Sequence, residues 1–319
     1  MSAAGPSQGA KAPEGLTPAA PDLPAQIGTA GRGADSGSAA ACKASAVHEV
    51  TSVGAHTSAI DLHAKASDDF GAKLFETTSL LRRAASEFAP VTQASSLGAE
   101  DVVITHLINA HGLNIPIFVL DTGMLHPQTL ELLELTRAVS RAPVTVFRPI
   151  EKSVIEFVGR EGKDAMYRSI ELRKACCNIR KMEPLQRALA GQRAWITGLR
   201  REQSTTRAEV PLVDTGDEGK SAKNGGQAAV GRVKFNPLAR WTWGDVWHFI
   251  KLHGIAYNPL HDEFYPSIGC MPCTRAISLG EDFRAGRWWW ESGESTKECG
   301  LHVKHEDGLR VEPAMTATA

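Results

Sequence analysis

Four of the six cysteines in this chain fall into two short motifs, an adjacent pair Cys176–Cys177 and a C-x-x-C, Cys270 and Cys273. Four thiolates can hold one zinc ion or an iron–sulfur cluster. Structural zinc normally uses two spaced knuckles, because the spacer lets two sulfurs converge on one ion. Adjacent cysteines on a helix diverge by about 100° around its axis, which suits a cluster whose separate irons each take one sulfur. The pattern therefore places a cluster ahead of zinc, and both ahead of inert buried thiols or a vicinal disulfide, which leave the C-x-x-C unexplained. Cys299 stands apart from these four, in ECGLH beside Gly300 and three residues before His302, and reads as a thiol meant to be reached. Cys42 sits in an Ala/Gly/Pro/Ser-rich stretch and reads as incidental.

Basic residues gather near the same motifs. GLRREQSTTR carries Arg200, Arg201 and Arg207, Lys181 lies four residues after Cys177, and Arg284 and Arg287 frame FRAGR just after the C-x-x-C. Any one of them alone is ordinarily a solvated surface residue. Together, in a chain of net charge -1, they favour an anionic substrate such as a phosphate or sulfate. SSLGAED, Ser95 to Asp101, has the small-residue character of a strand-to-helix turn whose amides can meet a phosphate, although on spacing alone an ordinary N-cap and turn is the better reading. LDTG, Leu120 to Gly123, either presents Asp121 to a ligand or makes a turn.

These groups need a scaffold, and the hydrophobic pattern supplies one. Strands are expected at 91–95, 115–120, 144–147 and 194–197. Helices are expected at 70–88, 97–110, 126–141, 150–159, 163–189 (kinked or broken near Pro184) and 242–253. Strands separated by helices imply right-handed crossovers and a mainly parallel sheet with helices on both faces, an α/β fold whose functional groups collect beyond the C-terminal strand ends. Residues 1–65, without any Phe, Trp or Tyr, are expected to be a disordered extension, and 214–231, polar and Gly-rich, a flexible insertion. This leaves 66–285 as the functional domain and 286–319 as a C-terminal segment carrying Cys299.

The charge balance, 35 Lys+Arg against 36 Asp+Glu, excludes nucleic-acid binding by bulk charge. No apolar run approaches the roughly 20 residues of a membrane helix, and the N-terminal stretch has no apolar signal core, so a soluble cytoplasmic protein is expected. Six cysteines are too few for a disulfide scaffold.

In their order along the chain, SSLGAED, LDTGMLHPQT, KACCNIRKMEPL, GLRREQSTTR, GCMPCTR and ECGLH resemble the assimilatory adenylylsulfate reductases of the cluster-containing bacterial type, over about residues 70–302. That resemblance implies an adenine-nucleotide α-hydrolase-like fold related to the ATP pyrophosphatases. It also implies a 4Fe-4S cluster on Cys176, Cys177, Cys270 and Cys273, and reduction of adenosine 5'-phosphosulfate to sulfite and AMP. Cys299 would attack sulfur with His302 near the sulfate, and Lys181, Arg207, Arg284 and Arg287 would hold the phosphosulfate. Ser96, Leu120 and Gly198 would line the adenine and ribose pocket through their backbones. Thioredoxin or glutaredoxin would be the reductant, supplied from outside because no thioredoxin-like domain follows in the sequence; association with further copies of the chain is compatible with all of this. A sister reading is a 3'-phosphoadenosine 5'-phosphosulfate reductase or a dual-specificity enzyme. A reading of another class is a non-catalytic nucleotide-binding module with structural zinc.

Overall fold

The computed structural model describes residues 57–215 and 232–291. Six strands form one sheet: β1 (Val91–Ser95), β2 (Ile117–Leu120), β3 (Val144–Phe147), β4 (Ala194–Ile196), β5 (Val213–Asp214) and β6 (Val233–Phe235). Their order is β3-β2-β1-β4-β6-β5. Every pair is parallel except β5 with β6, where Asp214 opposes Lys234. The chain leaves β1 toward β2 on one side and returns to β4 on the other, so β1 marks the topological switch point where a crevice opens beyond the strand ends.

Both sheet faces are covered, which is why β2 is apolar at every position. Ile117 and Val119 enter the main core beside α3 (Ala99–Ala110) and α8 (Trp243–His253). Phe118 points the other way, onto Leu185 and Leu189 of α7 (Glu183–Leu189). β2 starts later than the apolar run suggests, because Pro116 has no N–H to give a neighbour; its carbonyl still accepts from Gln93. α8 matches its expected span, with Thr242 as N-cap in a reciprocal box with Asp245 and Gly254 closing it at φ 57°.

The expected helix over 163–189 is four elements. A single 3-10 turn, Ala165–Tyr167, precedes α6 (Ile170–Cys177), whose first turn is capped by Ser169. A π turn over Asn178–Met182 then leads into α7. Pro184 lacks the N–H that would bond the Arg180 carbonyl, and the backbone widens ahead of it instead of breaking.

Three expected boundaries move. Residues 59–63 form α1 (Ala59–His63), not part of a disordered extension: Ser58 and Asp61 cap it reciprocally, Ala59 is buried, and the Ala59 N–H donates to Asp262 Oδ1 at 2.7 Å. Asp214, assigned to a flexible insertion, is in β5. Residues 286–291 are packed into the domain instead of beginning a separate segment, since Arg287 pairs with Thr274 and Trp288 is buried. Residues 1–56, 216–231 and 292–319, with Cys42, Cys299 and His302, lie outside the described residues.

Candidate active site

The loop after β1 is built around an internal carboxylate. Gly98, not a serine, is the N-cap of α3, and Leu97 before it adopts φ 62°, the left-handed region that side chains seldom occupy. This turn brings the Ser96 N–H and Oγ to Oδ2 of Asp101 in the first turn of α3, at 2.6 and 2.7 Å. Burial pushes the Asp101 carboxyl up to about 6, the Ser96 hydrogen bonds pull it back, and the neighbouring Glu100 charge adds to the rise. Gly198, just beyond β4, lies against the same carboxylate: a Cβ there would stand 2.6 Å from Asp101 Oδ1 and 2.8 Å from Glu100 Cβ. Only glycine lets β4 and the loop approach this closely.

Glu100 is buried and nonetheless held ionised. Desolvation opposes its charge, but Arg200 at 2.8 Å and the Gln203 amide at 2.9 Å prevail and keep its carboxyl below the usual carboxylate value. Gln203 in turn accepts from Arg207 Nη1 at 2.6 Å, so the Glu100 network orients a guanidinium in the cleft. Arg200, by contrast, is fully buried against Glu100 and Glu202 and has a structural part.

One cleft beyond the strand ends collects every described residue expected to bind substrate: Ser96, Leu120 and Gly198 at the ends of β1, β2 and β4, and the cations Lys181, Arg207, Arg284 and Arg287. Its apolar wall includes Phe118, Leu120 and Leu185, a surface suited to a flat ring. Asp121 does not line the cleft: it accepts from the Gly123 N–H at 3.0 Å and pairs with Arg148 at 2.9 Å, the turn alternative of its two readings.

A second, smaller cavity lies beside the cleft and is lined by Cys176, Cys177, Cys270 and Cys273. Arg173, Cys176 and Cys177 stand at the i, i+3 and i+4 positions of one face of α6, and Arg180 and Lys181 of the following π turn also line the cavity, so the adjacent cysteines reach one space despite their divergence. None of the four is in a disulfide, and Thr122 Oγ1 lies 3.2 Å from Cys270 Sγ. Burial pushes the Cys273 thiol up to about 12, reinforced by the charges of the other three sulfurs and eased by Arg287; burial also raises Cys176. Among the described residues no group of His, Cys, Asp and Glu has the arrangement of a single-ion site. The donor set nevertheless fits a multinuclear cluster: four soft sulfurs ring a small apolar cavity, and cationic neighbours can balance thiolate charge. Lys181 lines both cavities.

Several residues of this region have no obvious mark in the sequence. Arg180 was detectable, since it follows Cys176 by one helical turn. Asp101 and Gln203 owe their places to long-range packing. Gly269 matters because a Cβ on it would overlap the Arg287 guanidinium.

A mainly parallel α/β sheet has a cleft at its switch point, and a thiol-lined cavity shares a lysine with that cleft. Residues 90–276 match the phosphoadenosine phosphosulfate reductase domain. The chain is 51% identical over 223 residues to the adenosine 5'-phosphosulfate reductase of Allochromatium vinosum, covering 70% of this chain and 82% of the relative. It is 48% identical over 235 residues to the enzyme of that name from Burkholderia cepacia, covering 74% and 89%. The fold is shared with phosphoadenylyl-sulfate reductase from Candida auris, at a TM-score of 0.50 and 24% identity, covering 65% of this chain and 97% of that one. This chain belongs to the phosphoadenosine phosphosulfate reductase domain family, oxidoreductases acting on sulfur, with the mainly parallel α/β fold expected of it. Among the described residues no helix is long and apolar enough to cross a membrane.

Proposed function

We propose that this protein is a cytoplasmic reductase of adenosine 5'-phosphosulfate in assimilatory sulfate reduction, serving cysteine biosynthesis. The observation that carries the reading is the gathering of Ser96, Leu120, Gly198, Lys181, Arg207, Arg284 and Arg287 in one cleft beside the four-cysteine cavity. The Cys299 thiolate attacks the sulfur of the phosphosulfate, the bond from sulfur to the phosphate oxygen breaks, and AMP leaves with the electron pair. A thiol of thioredoxin or glutaredoxin then attacks the Cys299 sulfur and expels sulfite. A second thiol of that dithiol reductant resolves the mixed disulfide, so two electrons pass from dithiol to sulfur. Because an anion attacks an anion, the cations of the cleft have the main electrostatic task, with His302 assigned to the sulfate.

Cys176, Cys177, Cys270 and Cys273 would hold a 4Fe-4S cluster, which when bound would transfer no electrons and would serve to position Lys181 and the surrounding charges. Lys181, which lines both cavities, is the cation that would be held toward the phosphosulfate.

Asp101 favours the substrate without a 3'-phosphate. Its carboxylate already takes the Ser96 donors that an additional phosphate would need, and Glu100 adds a second negative group lining the same cleft. Turnover of the two nucleotides side by side tests this reading; equal rates at equal concentration would sink it. In Asp101→Asn the preference should relax by about tenfold, roughly 1.4 kcal/mol of lost repulsion.

The same variant carries a stability signature with a definite sign. The folded carboxyl titrates at about 6 against a reference value of 3.8, so the folded chain binds the proton more tightly. The ionised group costs stability as pH rises from 3.8 to about 6, and the cost is complete above that window. Asp101→Asn should therefore stabilise the protein at pH 7 by up to about 3 kcal/mol, with most of the gain gone by about pH 4. Thermal melts at the two pH values would show it, and an equal gain at both would contradict the assignment.

Arg207, Arg284 and Arg287 replaced singly by Ala should each weaken substrate binding by about 1.5 to 3 kcal/mol, the range of hydrogen bonds to charged groups. Calorimetric titration with adenosine 5'-phosphosulfate measures this, and unaltered affinity in all three would move the anion site elsewhere.

A further inference from the structure

Arg173 and Glu291, 118 residues apart, form a buried two-pronged ion pair, Nε to Oε1 at 2.7 Å and Nη2 to Oε2 at 2.9 Å, their side chains 2% and 3% exposed. Such a pair loses so much hydration that it contributes little net stability, but it fixes geometry tightly. What it fixes is next to both cavities. Arg173 lines the cysteine cavity and faces the Cys177 thiol. Its guanidinium also lies over the Trp288 ring, 4.6 Å from the centroid, and the guanidinium of Arg287 lies over the same ring at 4.8 Å. Trp288 is buried and held at φ 45°, a backbone region that a bulky residue occupies only when its surroundings enforce it.

Arg287 has weak local anchors of its own. Its Nη1 reaches Ser267 Oγ and the Ile268 carbonyl only at 3.4 Å, and its buried Nε has no hydrogen-bond partner among the described residues. Its orientation is set by the space above Gly269 and by the Trp288 ring. Two guanidiniums over one ring repel each other unless one charge is balanced, and Glu291 balances Arg173.

We propose that Arg173 and Glu291 are positioning residues which, through Trp288, hold Arg287 at the anion end of the cleft and tie its placement to the cysteine cavity. The inference rests on the reading of the cleft as the phosphosulfate site. Without the Glu291 carboxylate, Arg173 keeps its charge and turns to other acceptors, and the ring that seats Arg287 moves with it.

The experiment is a double-mutant cycle in the full-length, iron-loaded protein, on a Cys299→Ser background so that binding of adenosine 5'-phosphosulfate is measured at equilibrium by calorimetry. Glu291→Gln should weaken binding about tenfold, Glu291→Asp should restore most of it, and Glu291→Gln added to Arg287→Ala should cost less than twofold further. The visible absorption of the iron-loaded protein, read in each sample, separates loss of iron from loss of affinity. If Glu291→Gln is insoluble, Trp288→Leu, which removes the ring and no charge, should show the same lack of additivity with Arg287→Ala. Unchanged affinity in Glu291→Gln, or effects that multiply with Arg287→Ala, overturns the proposal while leaving the cleft reading intact. An Arg287→Ala protein that binds like its parent overturns the cleft assignment of that arginine and the proposal with it.

Discussion

Cys299→Ser should release no measurable sulfite while binding adenosine 5'-phosphosulfate as the unaltered protein does. In the proposed mechanism the thiolate is the nucleophile at sulfur, and a serine hydroxyl is essentially un-ionised at neutral pH and has no base assigned to activate it. Cys176, Cys177, Cys270 and Cys273 cannot substitute, because all four line the cavity beside the cleft, where burial holds the thiols of Cys176 and Cys273 above their ordinary values. The matching positive result comes from mass spectrometry. Unaltered protein mixed with substrate in the absence of reductant should carry one added SO3 on the peptide containing Cys299, and adding thioredoxin should remove it with release of one sulfite. Modification at any other cysteine, or substantial turnover by the Ser variant, would mean that another group attacks.

What was legible in the sequence followed from local chemistry. β1 and β3 begin and end where alternation and flanking residues place them, and α8 is delimited by Thr242, Asp245 and Gly254, all short-range signals. The cysteine motifs and the basic residues near them were legible for the same reason, as residue types at fixed spacing. What escaped was set by distant partners. β6, three residues long, exists as a strand because β4 offers an edge to pair with, and β5, two residues long, because β6 does. Asp101 looks like an ordinary acidic residue in a first helical turn, and becomes the centre of the loop only when Leu97 turns left-handed and Gly198 closes on it. Glu291 belongs to no periodic pattern at all; its partner Arg173 is reached only after the sheet is assembled. Residues 59–63, next to an Ala/Gly/Pro/Ser-rich stretch, took on its composition in the sequence reading, although one cap and one buried alanine hold them in a helix.

The four-cysteine cavity gives the second large expected effect. Four sulfurs around one small cavity repel one another when ionised, which is part of why the Cys273 thiol is pushed up to about 12. Arg173, Arg180 and Lys181 line that cavity and Arg287 acts on Cys273 from the cleft side, but these cations have other duties: Arg173 faces Glu291, Arg180 donates to the Thr122 carbonyl, and Arg287 lines the cleft. In the proposed reading a metal centre that takes the thiolates as ligands would complete this site. Serine in place of Cys176, Cys177, Cys270 or Cys273 should therefore remove iron, acid-labile sulfide and reductase activity in parallel, since one missing thiolate leaves one iron open. Iron, sulfide and zinc measured per chain, with the brown colour of the purified protein, distinguish the outcomes. A colourless, iron-free protein that carries zinc and reduces substrate at the full rate would refute the cluster and leave the thiols a structural part. Loss of iron without loss of rate would instead separate the two cavities, and Lys181, which lines both, would then act on substrate without help from the cysteines.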